Sequence, residues 1–222
     1  MSICIFGGTH GIGARLAKDL SVDRKISVCG RTIRPLLGED YLSDRCNVED
    51  IGSIKDFVLK TVFKFNIIDT VIFCCGEMEY NSFEKAGRYE LYRMADSMMV
   101  GYMNVVNAVV PVMRSQGHGK IIQLSSTRAI TAAPGKALYS AVKRGQKSLS
   151  DSVNIEYGKY NIQAVALCVG AVDTESTRKM YTKKELKNIR LVPESDVVAA
   201  VKFIIGLSDN SRIHSLVMGG MF

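Results

Sequence analysis

The stretch SICIFGGTHGIG, residues 2–13, decides how this chain folds. It begins with a short, mostly apolar segment that predicts a buried strand, and a helix over residues 11–20 is predicted by Ile12, Leu16 and Leu20 on one side. The glycines between them allow a tight turn and a close approach of the backbone to a pyrophosphate. The helix N-terminus then offers N–H donors and a positive dipole end. The stretch therefore predicts a dinucleotide-binding unit.

Strand-like and helix-like segments alternate along the rest of the chain. Strands are predicted over residues 2–6, 25–29, 69–75, 120–124, 162–168 and 216–218, and helices over 11–20, 48–65, 89–113, 137–157 and 193–207. The third helix is expected to end near Pro111. Strands separated by helices predict a parallel sheet, and continuous apolar strands predict one covered on both faces. Without a linker-like segment, residues 1–222 are expected to form a single α/β domain.

Composition narrows the class of protein. The 222 residues are 47% hydrophobic and 23% charged, which is ordinary for a globular protein. Apolar runs end well before the roughly 20 residues that a membrane span needs. The first residues lack a basic segment that would precede a secretory signal. We therefore expect a cytoplasmic protein that makes no membrane contact.

The chain is basic, with a net charge of +7. Its Lys and Arg residues are spread along the sequence, so we expect no nucleic-acid partner. The densest run, residues 178–184, is interpreted as a solvated helix or mobile loop. Attraction of an anionic substrate or a polyanion is the alternative interpretation of that run.

The six cysteines are interpreted as buried, reduced thiols. They show neither a C-x-x-C pair nor a Cys/His spacing typical of zinc, so we expect no metal site. A redox-active Cys74-Cys75 pair is the alternative. Adjacent residues in a strand point to opposite faces of the sheet, which disfavours it.

Tyr139 and Lys143 are four residues apart, so on a helix they share one face. The ammonium is expected to lower the pKa of the phenol from about 10 toward neutral, where Tyr serves as a general acid or base. Taken alone, this spacing more often marks a solvated helix face. Its weight depends on the residues that accompany it.

Those residues carry a resemblance. Gly7-x-x-x-Gly11-x-Gly13, with Ser126 and Tyr139-x-x-x-Lys143, resembles the short-chain dehydrogenase/reductase family over nearly the whole chain. The resemblance implies a three-layer, doubly wound, Rossmann-like parallel sheet of about seven strands in the order 3-2-1-4-5-6-7. Further matches are Asn47-Val48, Gly76, the segments 170–174 and 193–198, and Gly219-Gly220.

The resemblance also implies a reaction, which is hydride transfer between a nicotinamide and a carbonyl or alcohol substrate. Tyr139 would exchange a proton with the substrate oxygen, Ser126 would hydrogen-bond that oxygen, and Lys143 would hold the nicotinamide ribose. The residues implied in cofactor binding are Gly7, Thr9, His10, Gly11, Ile12, Gly13, Arg31, Thr32, Asn47, Val48, Cys75, Gly76, Tyr139, Lys143, Val172 and Thr174.

Charge near the second strand bears on the choice of cofactor. An NAD site places a carboxylate there to bind the ribose 2′-OH, but this chain has Gly30 followed by Arg31. A guanidinium can grip a 2′-phosphate, and His10 would add a donor. We therefore expect NADP(H) rather than NAD(H). The alternative is that Arg31 is an exposed turn residue that stacks on adenine.

The chain departs from the family pattern at several positions. The family's fourth catalytic residue, an Asn, lies three residues before a helix Gly, where this chain has Met98 before Gly101. Asn104 and Asn107 are not obvious substitutes. If proton relay limits the rate, Met98→Asn should raise turnover. Other departures are Phe6, Val169, Phe73-Cys74-Cys75 and a short segment 32–45, where a helix is expected to shrink to a turn.

Two other functions stay open at this point. The first is a weakly or non-catalytic dinucleotide-binding regulator or redox sensor, which Met98 and the altered segment 73–75 favour. The second, an epimerase or dehydratase of sugar nucleotides, fits the glycine spacing and the chain length less well. We expect a lid over the substrate within residues 174–190.

The resemblance further implies a homodimer or homotetramer that pairs the two long helices. Met94, Met98, Val105, Val109 and Leu149 are assigned either to that interface or to the core. The chain end at Met221-Phe222 makes the second contact of a tetramer less expected than the dimer contact.

Overall fold

The computed structural model describes residues 1–33, 38–78 and 82–219. Pro35, Gly220 and Met221-Phe222 lie outside this range. Within it, seven parallel strands form one sheet in the order 3-2-1-4-5-6-7, which confirms the predicted topology. The strands are β1 Ser2–Phe6, β2 Lys25–Gly30, β3 Tyr41–Arg45, β4 Thr70–Phe73, β5 Gly119–Ser126, β6 Ile162–Val169 and β7 Ser215–Met218.

Helices cover both faces of the sheet. They are α1 Gly11–Leu20, α2 Ile51–Phe65, α3 Arg88–Met94, α4 Gly101–Gln116, α5 Ala137–Tyr157, α6 Glu175–Met180, α7 Lys183–Asn188 and α8 Glu194–Gly206. One core joins α2, α4 and α5 to the sheet, and a second joins α1 and α8 to the other face. This two-sided cover explains why β1, β4, β5 and β6 are buried along their whole length and are mostly apolar.

The region around Pro111 differs from the prediction. The helix does not end there, because α4 continues to Gln116 and Pro111 lies inside it. A proline removes one helical hydrogen bond, to the carbonyl four residues earlier, which here belongs to Asn107. Both residues are exposed, so water can satisfy that carbonyl.

The predicted long helix is also not uniform. A π-helical segment, Ala95–Val100, separates α3 from α4. Gly101 follows this segment and packs closely against Val48. A Cβ at position 101 would lie 2.8 Å from a methyl group of Val48. The π-segment therefore lies between two regular helices, next to the contact with Val48, a residue expected to bind the cofactor. Such segments recur at functional sites.

The residues that were assigned either to an interface or to the core belong to the core. Met94, Met98, Val105 and Val109 are at most 1% exposed, and Leu149 packs against the first core cluster. The apolar side chains that α4, α5 and the π-segment expose are different ones: Val100, Met103 and Ile155.

Candidate active site

A cleft of about 840 Å³ opens at the carboxyl ends of the strands, where ligands of open parallel sheets bind. It brings together every predicted site residue. These are Gly7, Thr9, His10, Gly11, Ile12, Gly13, Arg31, Thr32, Asn47, Val48, Cys75, Gly76, Ser126, Tyr139, Lys143, Val172 and Thr174. Residues up to 167 positions apart in sequence thus converge on one site.

The turn after β1 requires its glycines. Gly7 has a φ of +78°, and a Cβ at Gly13 would lie 2.1 Å from the Gly7 carbonyl oxygen. Only a residue without a side chain lets α1 approach the turn this closely. The turn and the first N–H groups of α1 form a cradle that a side chain would fill, which suits a pyrophosphate.

The absence of a side chain at Gly30, at the end of β2, also has a steric reason. A Cβ at Gly30 would lie 2.4 Å from the hydroxyl oxygen of Thr9, and that hydroxyl also contacts the His10 ring at 3.0 Å. An Asp or Glu at position 30 would therefore require the Thr9 side chain to shift. The exposed Arg31 is the next side chain along this rim.

The loop after β3 is held by its own hydrogen bonds. The Asn47 amide donates to the Ser53 hydroxyl at 3.1 Å, and the Asn47 side-chain oxygen accepts from the Glu49 amide at 3.3 Å. Asn104 reaches from α4 and donates to the Val48 carbonyl at 3.1 Å. Asn104 is thus a structural residue of the nucleotide side, which is consistent with its not being an obvious replacement for the missing Asn.

The paired cysteines after β4 point to opposite faces of the sheet, as expected. Cys74 packs against the core cluster of α1 and α8, and Cys75 packs against that of α2 and α4. Cys75 approaches the glycine-rich turn, since its sulfur would lie 3.0 Å from a Cβ at Gly7. All six cysteines are unpaired, and burial raises the pKa of both neighbouring thiols.

Tyr139 lies on the first turns of α5 and is 7% exposed. Burial raises the pKa of its phenol to about 12, although a hydrogen bond with the Ser126 hydroxyl acts in the opposite direction. The expected lowering toward neutral is therefore wrong for the chain by itself. The increase in pKa caused by desolvation is larger than the decrease caused by the nearby cations, so the phenol keeps its proton at neutral pH.

Lys143 lies one turn further along α5, with its ammonium nitrogen 5.8 Å from the centre of the Tyr139 ring. It is 4% exposed, and burial lowers the pKa of its ammonium to about 8. The nitrogen donates to the Leu124 carbonyl and to the Gln146 side-chain oxygen, each at 3.2 Å. Lys143 is therefore fixed in place from two directions.

Gln146 is a site residue that sequence reasoning missed. It is fully buried, and its side-chain nitrogen donates to the Met98 carbonyl at 3.0 Å while its oxygen accepts from Lys143. The available signal was its position three residues after Lys143, on the same helix face. Nothing in the sequence indicated that the Met98 backbone would be its second partner.

A group of polar side chains surrounds the entrance beside Tyr139, and it was also missed. Arg128 and Tyr181 line the cleft there and act on the pKa of Tyr139, and the Lys136 nitrogen lies 3.4 Å from the Tyr181 hydroxyl. Arg190 lines the same cleft. The segment predicted as a lid contains α6 and α7. A capping box formed by Thr182 and Glu185 begins α7. The basic run 178–184 is therefore largely helical.

Val172 and Thr174 lie where the lid segment leaves the sheet. Val172 forms a β-bridge with Val192 at the other end of the segment. The Thr174 hydroxyl caps α6, accepting from the Thr177 amide at 3.1 Å. In residues 1–33, 38–78 and 82–219, no three His, Cys, Asp or Glu side chains are grouped closely enough to hold a metal ion. No helix of that part is both long and apolar enough to span a bilayer.

Relatives of known activity cover most of the chain. It is 27% identical to 2-(R)-hydroxypropyl-CoM dehydrogenase of Xanthobacter autotrophicus over 93% of this chain and 87% of that protein. It is 25% identical to 3-oxoacyl-acyl-carrier-protein reductase of Staphylococcus aureus over 100% of this chain and 98% of that one.

Solved structures share the fold. Sorbitol-6-phosphate 2-dehydrogenase of Erwinia amylovora superimposes with a TM-score of 0.89 at 16% identity, covering 99% of this chain and 98% of its own. A closed serine dehydrogenase complexed with NADP+ gives 0.89 at 21% identity, covering 98% and 94%. The sequence profile of the short chain dehydrogenase family matches residues 1–185. The chain belongs to the short chain dehydrogenase family and is an oxidoreductase of that family.

Proposed function

We propose that this protein is an NADP(H)-dependent oxidoreductase that reduces a carbonyl substrate, or oxidises the matching alcohol, with Tyr139 as the general acid or base. The observation that carries the proposal is the buried set of Ser126, Tyr139 and Lys143 in the same cleft as the glycine-rich turn. A protein that only sensed a dinucleotide would have no need of this set.

The chemistry of the three side chains supports reduction at neutral pH. The bound nicotinamide supplies the hydride. Tyr139, which keeps its proton because burial raises its pKa to about 12, donates that proton to the substrate oxygen. Ser126 hydrogen-bonds the same oxygen, since its hydroxyl already contacts the phenol. The Lys143 ammonium stabilises negative charge that develops on the phenol and supplies donors for a ribose hydroxyl.

The preference for NADP(H) is supported by Gly30 and Arg31. A carboxylate at position 30 would require Thr9 to move, because its Cβ would lie 2.4 Å from the Thr9 hydroxyl oxygen. Arg31 provides a guanidinium at the same rim, suited to a 2′-phosphate. The NADP complexes among the structural neighbours agree with this choice but belong to those proteins.

A carbonyl panel with NADPH tests the reaction. We expect NADPH oxidation with at least one carbonyl, and a fall in kcat of roughly 10²- to 10⁴-fold in Tyr139→Phe, the usual worth of a general acid. The variant should bind NADPH as the parent does, by nucleotide fluorescence. NADPH binding with no oxidation across the panel would instead support a dinucleotide-binding regulator.

Cofactor choice is tested by comparing the affinities for NADPH and NADH in the parent and in Arg31→Ala. We expect the parent to prefer NADPH and the variant to lose most of that preference, roughly 10- to 100-fold, since a charged hydrogen bond is removed. Lys60→Ala, another exposed cation outside the cleft, is the control. Equal affinities in the parent would reject the NADP(H) assignment.

We also propose that the protein forms a homodimer or homotetramer through α4 and α5. The exposed apolar residues Val100, Met103 and Ile155 support this choice of face. Light scattering after size-exclusion chromatography measures the mass directly. Met103→Glu should shift a dimer or tetramer toward the monomer, and a monomeric parent would reject the proposal.

A further inference from the structure

We propose that Gln146 is a positioning residue of this site, which keeps the Lys143 ammonium charged and fixed beside Tyr139. In this chain it replaces the family's fourth catalytic Asn, whose position is occupied by Met98. The inference rests on the proposed function, because it takes Lys143 as the group that acts on the phenol and on the ribose. It starts from a row of buried polar side chains, three or four residues apart on one face of α5: Tyr139, Lys143, Gln146 and Ser150.

The Gln146 side chain joins two elements of the fold. It is fully buried, its nitrogen donates to the Met98 carbonyl on the π-helical segment at 3.0 Å, and its oxygen accepts from the Lys143 ammonium at 3.2 Å. Rotating the amide by half a turn would place its N–H donors against the ammonium and its oxygen against the carbonyl. Neither pair can form a hydrogen bond, so the two partners set one orientation of the amide.

Met98 closes the neighbouring side of the ammonium. Its side chain is fully buried, and a Cβ at Gly76 would lie 3.6 Å from the Met98 sulfur and 3.9 Å from the Lys143 nitrogen. A thioether is only a weak acceptor. A strong acceptor is the Leu124 carbonyl, at 3.2 Å, which the backbone supplies whatever side chain that residue carries. Gln146 is therefore the side chain on which the hydrogen bonding of Lys143 depends.

This hydrogen bond matters because the charge of Lys143 is only narrowly favoured at neutral pH. Burial lowers the pKa of its ammonium to about 8. Losing a hydrogen bond to a charged group should lower that pKa by about one further unit, so that roughly half of the protein would carry a neutral amine at about pH 7. A neutral amine cannot stabilise negative charge on the phenol. The acceptor at position 146 thus keeps the site in its charged form over the neutral range.

Other titratable groups around Lys143 do not set this charge near pH 8. Among the described residues, those that face the ammonium come from β6, from the segment after β4 and from its own helix: Cys168, Cys74, Cys75 and Tyr139. Burial raises the pKa of each of these four above its usual value, so all are neutral at pH 8. Asp96, the titratable residue of the π-segment, is exposed. A titration near pH 8 at this site therefore belongs to Lys143.

Two substitutions of similar size separate positioning from packing. Gln146→Met removes the acceptor, whereas Gln146→Glu keeps one and adds negative charge. We expect the pKa of Lys143 to fall by about one unit in the Met variant and to rise by about one unit in the Glu variant. NMR titration of lysines labelled at Cε measures both shifts without any turnover, and the Lys143 signal is identified by its absence in Lys143→Met.

Cofactor binding and turnover give two further readouts. In Gln146→Met, NADPH should bind roughly 5-fold more weakly at about pH 8 and by a much smaller factor at about pH 6, where the lysine is charged in both proteins. A packing defect would weaken binding equally at both pH values. With a carbonyl substrate, the alkaline limb of kcat should move down in the Met variant and up in the Glu variant.

The parent protein gives a readout that needs no substitution. The side-chain amide signals of Gln146 should titrate with the pKa of Lys143, about 8, because the ammonium loses its proton next to the oxygen that accepts from it. Amide signals that stay constant from about pH 7 to about pH 9 would overturn the inference even if neither variant folds.

Ser150→Ala is the matched control, because it removes a different buried hydrogen-bond partner on α5, the one shared with Tyr102 and Gln123. It should lower the melting temperature and leave the Lys143 titration and the alkaline limb in place.

Opposite shifts of the Lys143 pKa in the two Gln146 variants support the inference. Shifts in the same direction, an unchanged Lys143 titration, or NADPH binding weakened equally at both pH values would make Gln146 a packing residue only and overturn it. If no carbonyl is reduced while the two shifts are opposite, the reductase is rejected and the placement of Lys143 by Gln146 stands.

Discussion

The two ends of the cleft are built in different ways. The nucleotide end, formed by residues 7–13, 30–32 and 47–48, depends on the absence of side chains and on backbone groups. The catalytic end depends on buried polar side chains, and its central contact, Gln146 to Met98, joins residues 48 positions apart. The comparison teaches that a motif can specify a turn locally, whereas the charge of a buried lysine is set by whatever the fold packs around it.

The largest expected effect is on stability at alkaline pH, where the ionisable groups oppose each other. Burial raises the pKa of five thiols above the usual 9.0: Cys4, Cys29, Cys74, Cys75 and Cys168. Their stabilisation is complete below pH 9 and is lost as the pH rises, because only the unfolded thiols ionise. Burial lowers the pKa of Lys143 from 10.5 to about 8, so between those two pH values this residue makes the free energy of unfolding rise with pH.

Burial also raises the pKa of Tyr102 and Tyr139 and lowers that of Lys120. Since the raised groups outnumber the lowered lysines, we expect the free energy of unfolding to fall by on the order of 5 kcal/mol between pH 9 and pH 11. Urea titrations under reducing conditions measure it. Cys29→Ala should flatten the fall by up to about 1.4 kcal/mol per pH unit, and Lys143→Met should steepen it by a similar amount. A stability that stays level up to pH 11 would contradict the burial of these thiols.

At the nucleotide end, the next effect is that of Gly13→Ala. Its Cβ would lie 2.1 Å from the Gly7 carbonyl oxygen, so α1 and the turn must separate. We expect a loss of about 3 kcal/mol in the free energy of unfolding, at the upper end of the cost of overpacking. Gly11→Ala is the control. Gly11 has a φ of +51° but no atom within 4 Å of its Cβ position, so it should cost only about 1 kcal/mol of backbone strain.

At the catalytic end, the structure changes what we expect of Met98→Asn. Met98 is fully buried among Met94, Tyr139 and Val142, and Gln146 already occupies its carbonyl. A buried amide without partners should cost about 2 kcal/mol of stability, and turnover should not rise. Met98→Leu keeps the volume and should cost less than about 1.5 kcal/mol. A faster Asn variant would show that proton relay limits the parent after all.

The smallest effect concerns the bond that joins α4 to the nucleotide loop. Asn104→Ala leaves the Val48 carbonyl without its donor and should cost about 1 kcal/mol, with weaker NADPH binding. Asn107→Ala, an exposed residue one turn along the same helix, should change stability by less than about 0.5 kcal/mol. Equal effects of the two substitutions would remove the distinction between a structural and a surface Asn.

Much of this protein follows from patterns that are local in the sequence. The strand–turn–helix of residues 2–20 and the alternation of elements predicted a parallel sheet, because parallel strands need crossover helices. They located six of its strands and missed β3, and the strand order followed only from the family resemblance. The family resemblance predicted which residues would line the cleft. The carboxyl ends of β1, β4, β5 and β6 meet at one edge of the sheet whatever fills the space between them.

What the sequence by itself determined is therefore the fold, the family and the residues that meet in the cleft. Only the tertiary structure decided their charge states and partners: the raised pKa of Tyr139, the pairing of Gln146 with Met98, and the course of α4 through Pro111. The physical reason is the distance along the chain over which each kind of interaction acts. Turns and periodic faces depend on neighbours within a few residues, but desolvation and buried hydrogen bonds depend on every element that excludes water from a group.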